Sequence, residues 1–196
     1  MTAQKVLLGV TGSIAAYKAA DLASKLSQQG YSVSTVLTEQ AQQFVTSATM
    51  GGVSSGPVYF SPYSADASKI LHIQLAEESD VLVIAPATAN MLAKMAQGFA
   101  DDLLSCTLLA TIKPVIVVPA MNPNMYQHPA TQENIKTLKQ RGVIVLNPES
   151  GHMACNVDGV GRYPDNAVII EAIEKTLGQK KNFKVSPVKY SKVKKS

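Results

Sequence analysis

The stretch KVLLGVTGSIAAYKAADLASKLSQQG at residues 5–30 sets the reading of the whole chain. Lys5–Val10 is a short apolar run rich in β-branched residues. Thr11-Gly12-Ser13 follows, and then a helical pattern (Ile14, Ala15, Tyr17, Ala19, Leu22, Ala23, Leu26) that stops at Gly30. This is strand, turn and helix, with Gly30 as the residue beyond the helix end. The unit recurs along the chain. Tyr31–Leu37, Val81–Ala85, Val115–Val118 and Val143–Leu146 read as strands, and Val58–Phe60 as a further short one. Helices are expected over Thr38–Thr46, Ser68–Ser79, Ala89–Gln97, Asp101–Ala110, Pro129–Gln140 (Pro129 opening it and Gly142 beyond its end) and Asp165–Leu177. Residues 50–66, Pro119–Gln127 and Asn147–Pro164 read as loops, and Pro86 as the end of the strand before it.

Near-continuous apolar strands alternating with helices are the pattern of a parallel sheet covered on both faces. The expected fold is therefore one α/β doubly wound domain, Rossmann-like or flavodoxin-like, over residues 1–179. Composition agrees. In 196 residues, 46% are hydrophobic and 16% charged, which excludes disorder, a coiled coil and a collagen-like repeat. No apolar run approaches a membrane span and no secretory signal is read at the N-terminus, so a cytoplasmic protein is expected. The two cysteines, Cys106 and Cys155, are expected to be free thiols. The net charge of +4 is misleading, because seven lysines fall within residues 180–196. Residues 1–179 hold eleven basic and fourteen acidic residues, a net of −3. The last 17 positions are expected to be a basic, disordered arm, a solvated end rather than a nucleic-acid contact.

In a doubly wound fold the ligand lies beyond the carboxyl ends of the strands, so the loops there carry the information. Gly9-Val-Thr-Gly12-Ser13-Ile14-Ala15 offers backbone N–H groups and a helix N-terminus, which suit a phosphate, but the spacing is not the dinucleotide fingerprint. A tight turn that needs glycine would look the same. Ala85-Pro-Ala-Thr88-Ala89-Asn90 is small enough for a flat ligand to approach the backbone, and Asn90 is also a candidate helix cap. Pro119-Ala120-Met121-Asn122-Pro-Asn124-Met125-Tyr126 joins amide donors to an adaptable methionine wall and reads as a binding loop. Gly151-His152-Met-Ala-Cys155-Asn156 through Gly161-Arg162 reads as a flap with a thiol in its middle; catalysis and a plain buried cysteine both remain open for Cys155, and metal binding is not expected. His72, in a helix between Leu71 and Ile73, has no exposure assigned by periodicity, and Cys106 reads as core.

The combination of GVTGSIAAYK at 9–18, His72-Ile-Gln-Leu, Ala85–Asn90, Gly98-Phe-Ala-Asp-Asp-Leu-Leu104, Pro119–Met125 and Ala154-Cys155, in this order, resembles the homo-oligomeric flavin-containing cysteine decarboxylases. The resemblance covers residues 5–177 and is nearest to the branch that acts on phosphopantothenoylcysteine in coenzyme A biosynthesis. It implies an FMN cofactor, held by Gly12, Ser13, Ile14, Thr38, Thr88, Ala89, Asn90, Met91 and Ala120. It further implies His72 as the base near the substrate thiol, Asn122 with Met125 as the substrate holders, and Cys155 as a proton donor. In the implied reaction the flavin accepts a hydride from the CH2–SH group, CO2 leaves the resulting thioaldehyde, and the hydride returns to the enethiol with a proton. A homotrimer or dodecamer is implied, and a separate phosphopantothenate–cysteine ligase would supply the substrate. Alternatives are a decarboxylase of peptidyl cysteine, a flavin prenyltransferase of the same fold, or a flavin-binding regulatory subunit without turnover. Two positions depart from the family pattern: Tyr126 stands where tryptophan is usual, and Asn156 follows Cys155 where glycine is usual.

Overall fold

The computed structural model describes residues 3–61, 70–152 and 158–178. Six strands form one parallel sheet: β1 (Lys5–Val10), β2 (Ser32–Leu37), β3 (Val58–Tyr59), β4 (Val81–Ala87), β5 (Val115–Pro119) and β6 (Ile144–Val145). Their spatial order is β3-β2-β1-β4-β5-β6. The order reverses between β1 and β4, which places a topological switch point there. Every residue of β4 and β5 is buried, and all of β1 beyond Lys5, which explains their unbroken apolar runs.

Among the described residues the α-helices are α1 (Ala16–Gln28), α2 (Ser47–Val53), α3 (Leu71–Glu78), α4 (Ala89–Gln97), α5 (Leu103–Ala110), α6 (Pro123–Gln127), α7 (Pro129–Gln140) and α8 (Asn166–Gly178). Side chains along β1 alternate between the two faces of the sheet, as the pleat requires. Val6, Leu8 and Val10 pack with Leu22 and Leu26 of α1 and Ile169 and Ile173 of α8. Leu7 packs on the other face with Leu75 of α3, Leu92 of α4, Leu104 of α5 and Leu138 of α7. The doubly wound sheet expected from the alternation of elements is thus present. Gly30 has a positive φ of 88° just after α1, and Pro129 is the first residue of α7.

Four local expectations are corrected. The helix expected at Thr38–Thr46 is only a 3-10 turn at Gln40–Gln43, and α2 lies instead in what reads as loop. Thr46 is extended and its hydroxyl accepts the Thr49 N–H at 3.0 Å, which opens α2, while Met50 fills the core and Gly51 and Gly52 sit exposed. The strand ending at Pro86 continues to Ala87; the proline falls where the β4–β5 register shifts, a position that spares it a ladder N–H. The loop after β5 contains α6, with Asn122 as its cap. The loop at Asn147–Pro164 contains an antiparallel pair, β7 (Glu149–His152) and β8 (Asp158–Arg162), whose glycine-rich polar sequence has no apolar alternation to announce it. The start of the helix expected at Ser68, the flap residues Ala154, Cys155 and Asn156, and the basic arm at 180–196 lie outside the described residues.

Candidate active site

Between the diverging ends of β1 and β4 the backbone is tied by one buried hydroxyl. Thr11 Oγ1 donates to the Pro86 carbonyl at 2.8 Å and accepts the Thr88 N–H at 3.0 Å. The Thr88 hydroxyl in turn accepts the Met91 N–H at 3.3 Å and caps α4. The cap is therefore Thr88; Asn90, the expected candidate, is the second residue of the helix. Gly12 passes so close to Gln40 that an added Cβ would stand 2.5 Å from the Gln40 Cβ. Ser13 bridges to the next strand by donating its hydroxyl to the Ala120 carbonyl at 3.4 Å. The N–H groups of Ser13, Ala15, Ala16 and Lys18 are taken up within the turn that opens α1, and the helix turns the positive end of its dipole toward the crevice that Gly12, Ser13, Ile14 and Ala15 line.

Two lobes open on this turn. The larger, about 540 Å3, is lined by Gly12, Ser13, Ile14, Thr88, Ala89, Ala120, Asn122 and Met125, together with Tyr17, Lys18, Met121, His152, Arg162 and Tyr163. The smaller, about 220 Å3, shares Gly12, Thr88, Ala89 and Met125 and adds Thr38, Gln40, Asn90, Met91, Lys94 and Asp102. Every flavin position implied by the resemblance thus lines one lobe or the other. A crevice with a glycine that admits no side chain, the positive end of a helix dipole and small residues along one wall fits a flat cofactor bearing a phosphate.

Asn122 and Met125 line the larger lobe as well. The Asn122 side-chain oxygen Oδ1 accepts the Asn124 N–H at 2.9 Å, which fixes the amide plane at the start of α6. Behind the loop, β8 approaches closely: the Met121 N–H donates to the Gly161 carbonyl at 3.0 Å, and a side chain at Gly161, whose φ is 149°, would strike the Met121 carbonyl. Tyr126, the last residue of the expected binding loop, packs on the second core face, and burial raises its phenol pKa.

His72 is not brought to this cavity. It sits half-buried at the start of α3, a helix packed against α5, and lines neither lobe. Cys155 lies outside the described residues. Cys106, expected in the core, is half-buried and a free thiol; its Sγ donates to the Ala100 carbonyl at 3.1 Å, and burial, then Asp102 and Asp101, push its pKa up. At the rim of the smaller lobe, Lys94 contacts Asp101 at 2.7 Å and Asp102 at 2.8 Å. Burial works against the Lys94 charge, but these two carboxylates outweigh it and raise its pKa.

The sequence reading missed the floor of the larger lobe. Lys18 Nζ donates to the Tyr163 carbonyl at 3.3 Å and stands 5.3 Å from the centre of its ring. Tyr163 is buried and donates its hydroxyl to Asn166 Oδ1 at 3.1 Å, while Asn166 Nδ2 donates to Asp21 Oδ2 at 2.8 Å. Burial, and then Asp21, push the Tyr163 pKa far up, so the phenol stays neutral. The available signal was positional: Tyr17 and Lys18 follow the first turn by one helical turn, and Arg162 and Tyr163 close the flap.

Residues 1–178 match the model of the family described as Flavoprotein. The chain is 46% identical over 163 residues to the coenzyme A biosynthesis bifunctional protein CoaBC of Vibrio vulnificus, covering 83% of this chain and 41% of that protein. It therefore spans about two-fifths of the length of the bifunctional relatives it matches. It is 42% identical over 177 residues to a probable phosphopantothenoylcysteine decarboxylase of Streptococcus mutans, covering 89% of this chain and 99% of that one. Among solved structures, a cysteine-to-serine mutant of PPC decarboxylase complexed with pantothenoylaminoethenethiol superimposes with a TM-score of 0.81 at 30% identity, over 88% of this chain and 97% of that chain. The FMN-dependent cysteine decarboxylase SpaF superimposes with a TM-score of 0.78 at 30% identity, over 91% and 97%. A crevice suited to a flat, phosphorylated cofactor and a family match over nearly all the described residues lead to one assignment: the chain belongs to the Flavoprotein family, and a flavin is its class of cofactor.

Proposed function

We propose that the chain is an FMN-dependent decarboxylase of phosphopantothenoylcysteine, yielding phosphopantetheine and CO2 in coenzyme A biosynthesis. The observation that carries this reading is that Asn122 and Met125 line the same lobe as Gly12, Ser13, Thr88 and Ala120, so substrate-holding and flavin-holding groups face one space. The Streptococcus mutans relative, matched over 99% of its length, supports the substrate class.

A flavin held here would supply the acceptor, and then the donor, for a hydride of the substrate's CH2–SH carbon. The chain's own residues do the rest. The turn at Gly12–Ile14, with Thr38 across the smaller lobe, holds the phosphate by backbone N–H groups and the α1 dipole. Thr88, Ala89 and Ala120, with Asn90 and Met91, would form the walls that hold the cofactor. The Asn122 amide N–H donates to the substrate carboxylate, whose carbon leaves as CO2, and Met125 covers the apolar part of the chain. His72 would take the proton of the substrate thiol, and Cys155 would supply the proton to the substrate carbon that has lost CO2. The net change replaces CO2 by one proton, and no external oxidant is consumed.

Because His72 lines neither lobe of its own chain, this reading requires a second copy to present it, within a trimer or a dodecamer. Ile14 and Tyr17, exposed at 59% and 62% beside the cavity, offer the apolar rim such a neighbour would cover. Substrate supplied by a separate ligase and work in the cytoplasm belong to the same reading; the free thiol of Cys106 fits a reducing compartment. No helix among the described residues is long and apolar enough to cross a membrane.

The test uses purified protein with phosphopantothenoylcysteine and, separately, a peptide ending in cysteine, with CO2 release and product mass as readouts. Phosphopantetheine from the first and no reaction of the second is expected; decarboxylation of the peptide alone would overturn the substrate. The chromophore, released and chromatographed, should be FMN. Mixing His72→Asn with Asn122→Asp subunits, each inactive alone, should restore about a quarter of the sites by random assortment.

A further inference from the structure

Decarboxylation without an external oxidant consumes one proton per turnover, because the bond to the departing CO2 is replaced by a carbon–hydrogen bond. The group that gives this proton to the substrate is left deprotonated and must regain it from water before the next cycle. Few side chains at the crevice can pass it on. Lysine, arginine and tyrosine ordinarily keep one protonation state near neutral pH, which sets aside Lys18, Arg162 and Tyr17, and burial holds the Tyr163 phenol neutral. In the smaller lobe Lys94 and Asp102 are engaged with each other at 2.8 Å. Imidazole is the side chain that ordinarily changes charge between about pH 5 and 8. Among the described residues lining the two lobes, His152 alone carries one.

His152 ends β7 and stands opposite Asp158, the first residue of β8. Its Nδ1 lies 3.4 Å from Asp158 Oδ1, and its side chain is 65% exposed although it lines the larger lobe with Asn122 and Met125. The ring therefore meets water on one side and the cavity on the other. An ionised carboxylate can only accept, so it favours a hydrogen on Nδ1 and leaves Nε2 to take up and release a proton. The other charged groups around the ring are Arg162 on β8, Lys18 on α1 and Glu149 on β7, whose carboxylate accepts the Asp165 N–H at 3.1 Å. Helix α6, packed on β8, brings no charged side chain. We propose that His152, steadied by Asp158, carries a proton from solvent into the larger lobe and so restores the group that protonates the substrate. A hydronium ion or buffer acid gives its proton to Nε2, and the new N–H bond breaks as that proton passes to the deprotonated donor. Nothing is oxidised or reduced in this step. The inference rests on the decarboxylase reading, which creates the demand for the proton.

The experiment follows phosphopantetheine formation by the FMN-loaded protein through its first and later turnovers of phosphopantothenoylcysteine, with bound FMN measured alongside. His152→Gln should complete the first turnover with the wild-type burst, since its donor starts protonated. Its steady-state rate should then fall about 10-fold, less than the roughly 100-fold or more lost with a group that acts in the transition state. Added imidazole should restore most of that rate. The wild-type steady-state rate should decline as pH rises and the imidazole loses its proton, and His152→Gln should lose this limb and depend on the concentration of buffer acid instead. Asp158→Asn should slow later turnovers by about 2-fold, as an exposed ion pair allows. A steady-state rate in His152→Gln equal to that of an active wild type would overturn the relay alone. So would a slow first turnover that imidazole does not rescue, or loss of FMN, because the side chain would then shape the lobe or hold the cofactor. A wild type that releases no CO2 even in its first turnover would bring down the decarboxylase reading and this inference with it.

Discussion

The two lobes of the crevice are built in different ways. The smaller one is walled by the ends of β1, β2 and β4, whose residues are continuous with the buried sheet, and Thr11 ties β1 to β4 across it. The larger one borrows most of its outer wall from α6, of five residues, and from the glycine-rich pair β7–β8, elements that leave Met125 and His152 exposed. A wall made of sheet ends cannot be reshaped without disturbing the core, whereas a short helix and a hairpin can be changed in sequence at little cost to the fold. The first suits a cofactor common to a family, the second a substrate that differs among its members.

The largest expected effect lies in the outer wall and should leave the inner one intact. Asn122→Asp keeps the oxygen that caps α6 but sets a carboxylate against the substrate's own. Turnover should fall by about 100- to 1000-fold through like-charge repulsion, with FMN still bound. Normal bleaching of the flavin by substrate in this variant would remove Asn122 from the site. Cys155→Ser should separate the two halves of the reaction, since a serine hydroxyl is a far weaker acid than a thiol of pKa about 8.5. Anaerobic single turnover should then release CO2 and leave reduced flavin with a product two hydrogens lighter than phosphopantetheine, read by mass spectrometry. Full reduction at the wild-type rate would make the thiol a bystander.

Breaking the inner wall should act on stability and on the cofactor together. Thr11→Val keeps the shape but strands the buried Pro86 carbonyl and the Thr88 N–H. A loss of about 2–4 kcal/mol is expected, which for a domain of this size lowers Tm by roughly 5–12 °C, with weaker FMN retention. A variant that melts like the wild type and holds FMN equally well would show that the tie is dispensable.

The inner wall was also the more legible. Short apolar runs such as Val81–Ala85 and Val115–Val118 can only be strands covered on both faces, and the turn after β1 points at the switch point without further help. The outer wall was not legible, because neither element there has a periodic signal. Asn122 and Pro123 look like loop until Asn122 caps a five-residue helix, and Ser150-Gly151-His152 pairs with β8 through backbone groups, with one side-chain contact between His152 and Asp158 at 3.4 Å. Lys18 and Tyr163 are 145 positions apart and meet only once α8 packs on α1, a contact that local pattern does not encode. His72 could be recognised only through the family resemblance. Its helix gave no reason to place it at the crevice, and in a single chain it does not reach one.

The smallest expected effect lies beneath the larger lobe, at Asp21, and it tests whether that floor is electrostatically anchored. The Lys25 ammonium, then the Asn166 amide, hold the Asp21 carboxyl below its ordinary value of 3.8. A carboxyl whose pKa is lowered on folding contributes stability above its unfolded pKa, and that contribution disappears as pH falls through the folded value. The side chain is 55% exposed, so solvent screening reduces the gain to about 0.3–0.5 kcal/mol. Asp21→Asn retains an oxygen to accept from Asn166 and loses only the charge. Denaturant unfolding should therefore separate variant from wild type slightly at pH 6–7, and the two curves should converge as the pH falls below 3.8 and through the lowered folded value. The gap at neutral pH should also narrow in high salt, since one partner is a solvated lysine. A gap that persists unchanged to pH 2 would mean that Asp21 acts by shape and hydrogen bonding, and that the support under Lys18 and Tyr163 is steric rather than ionic.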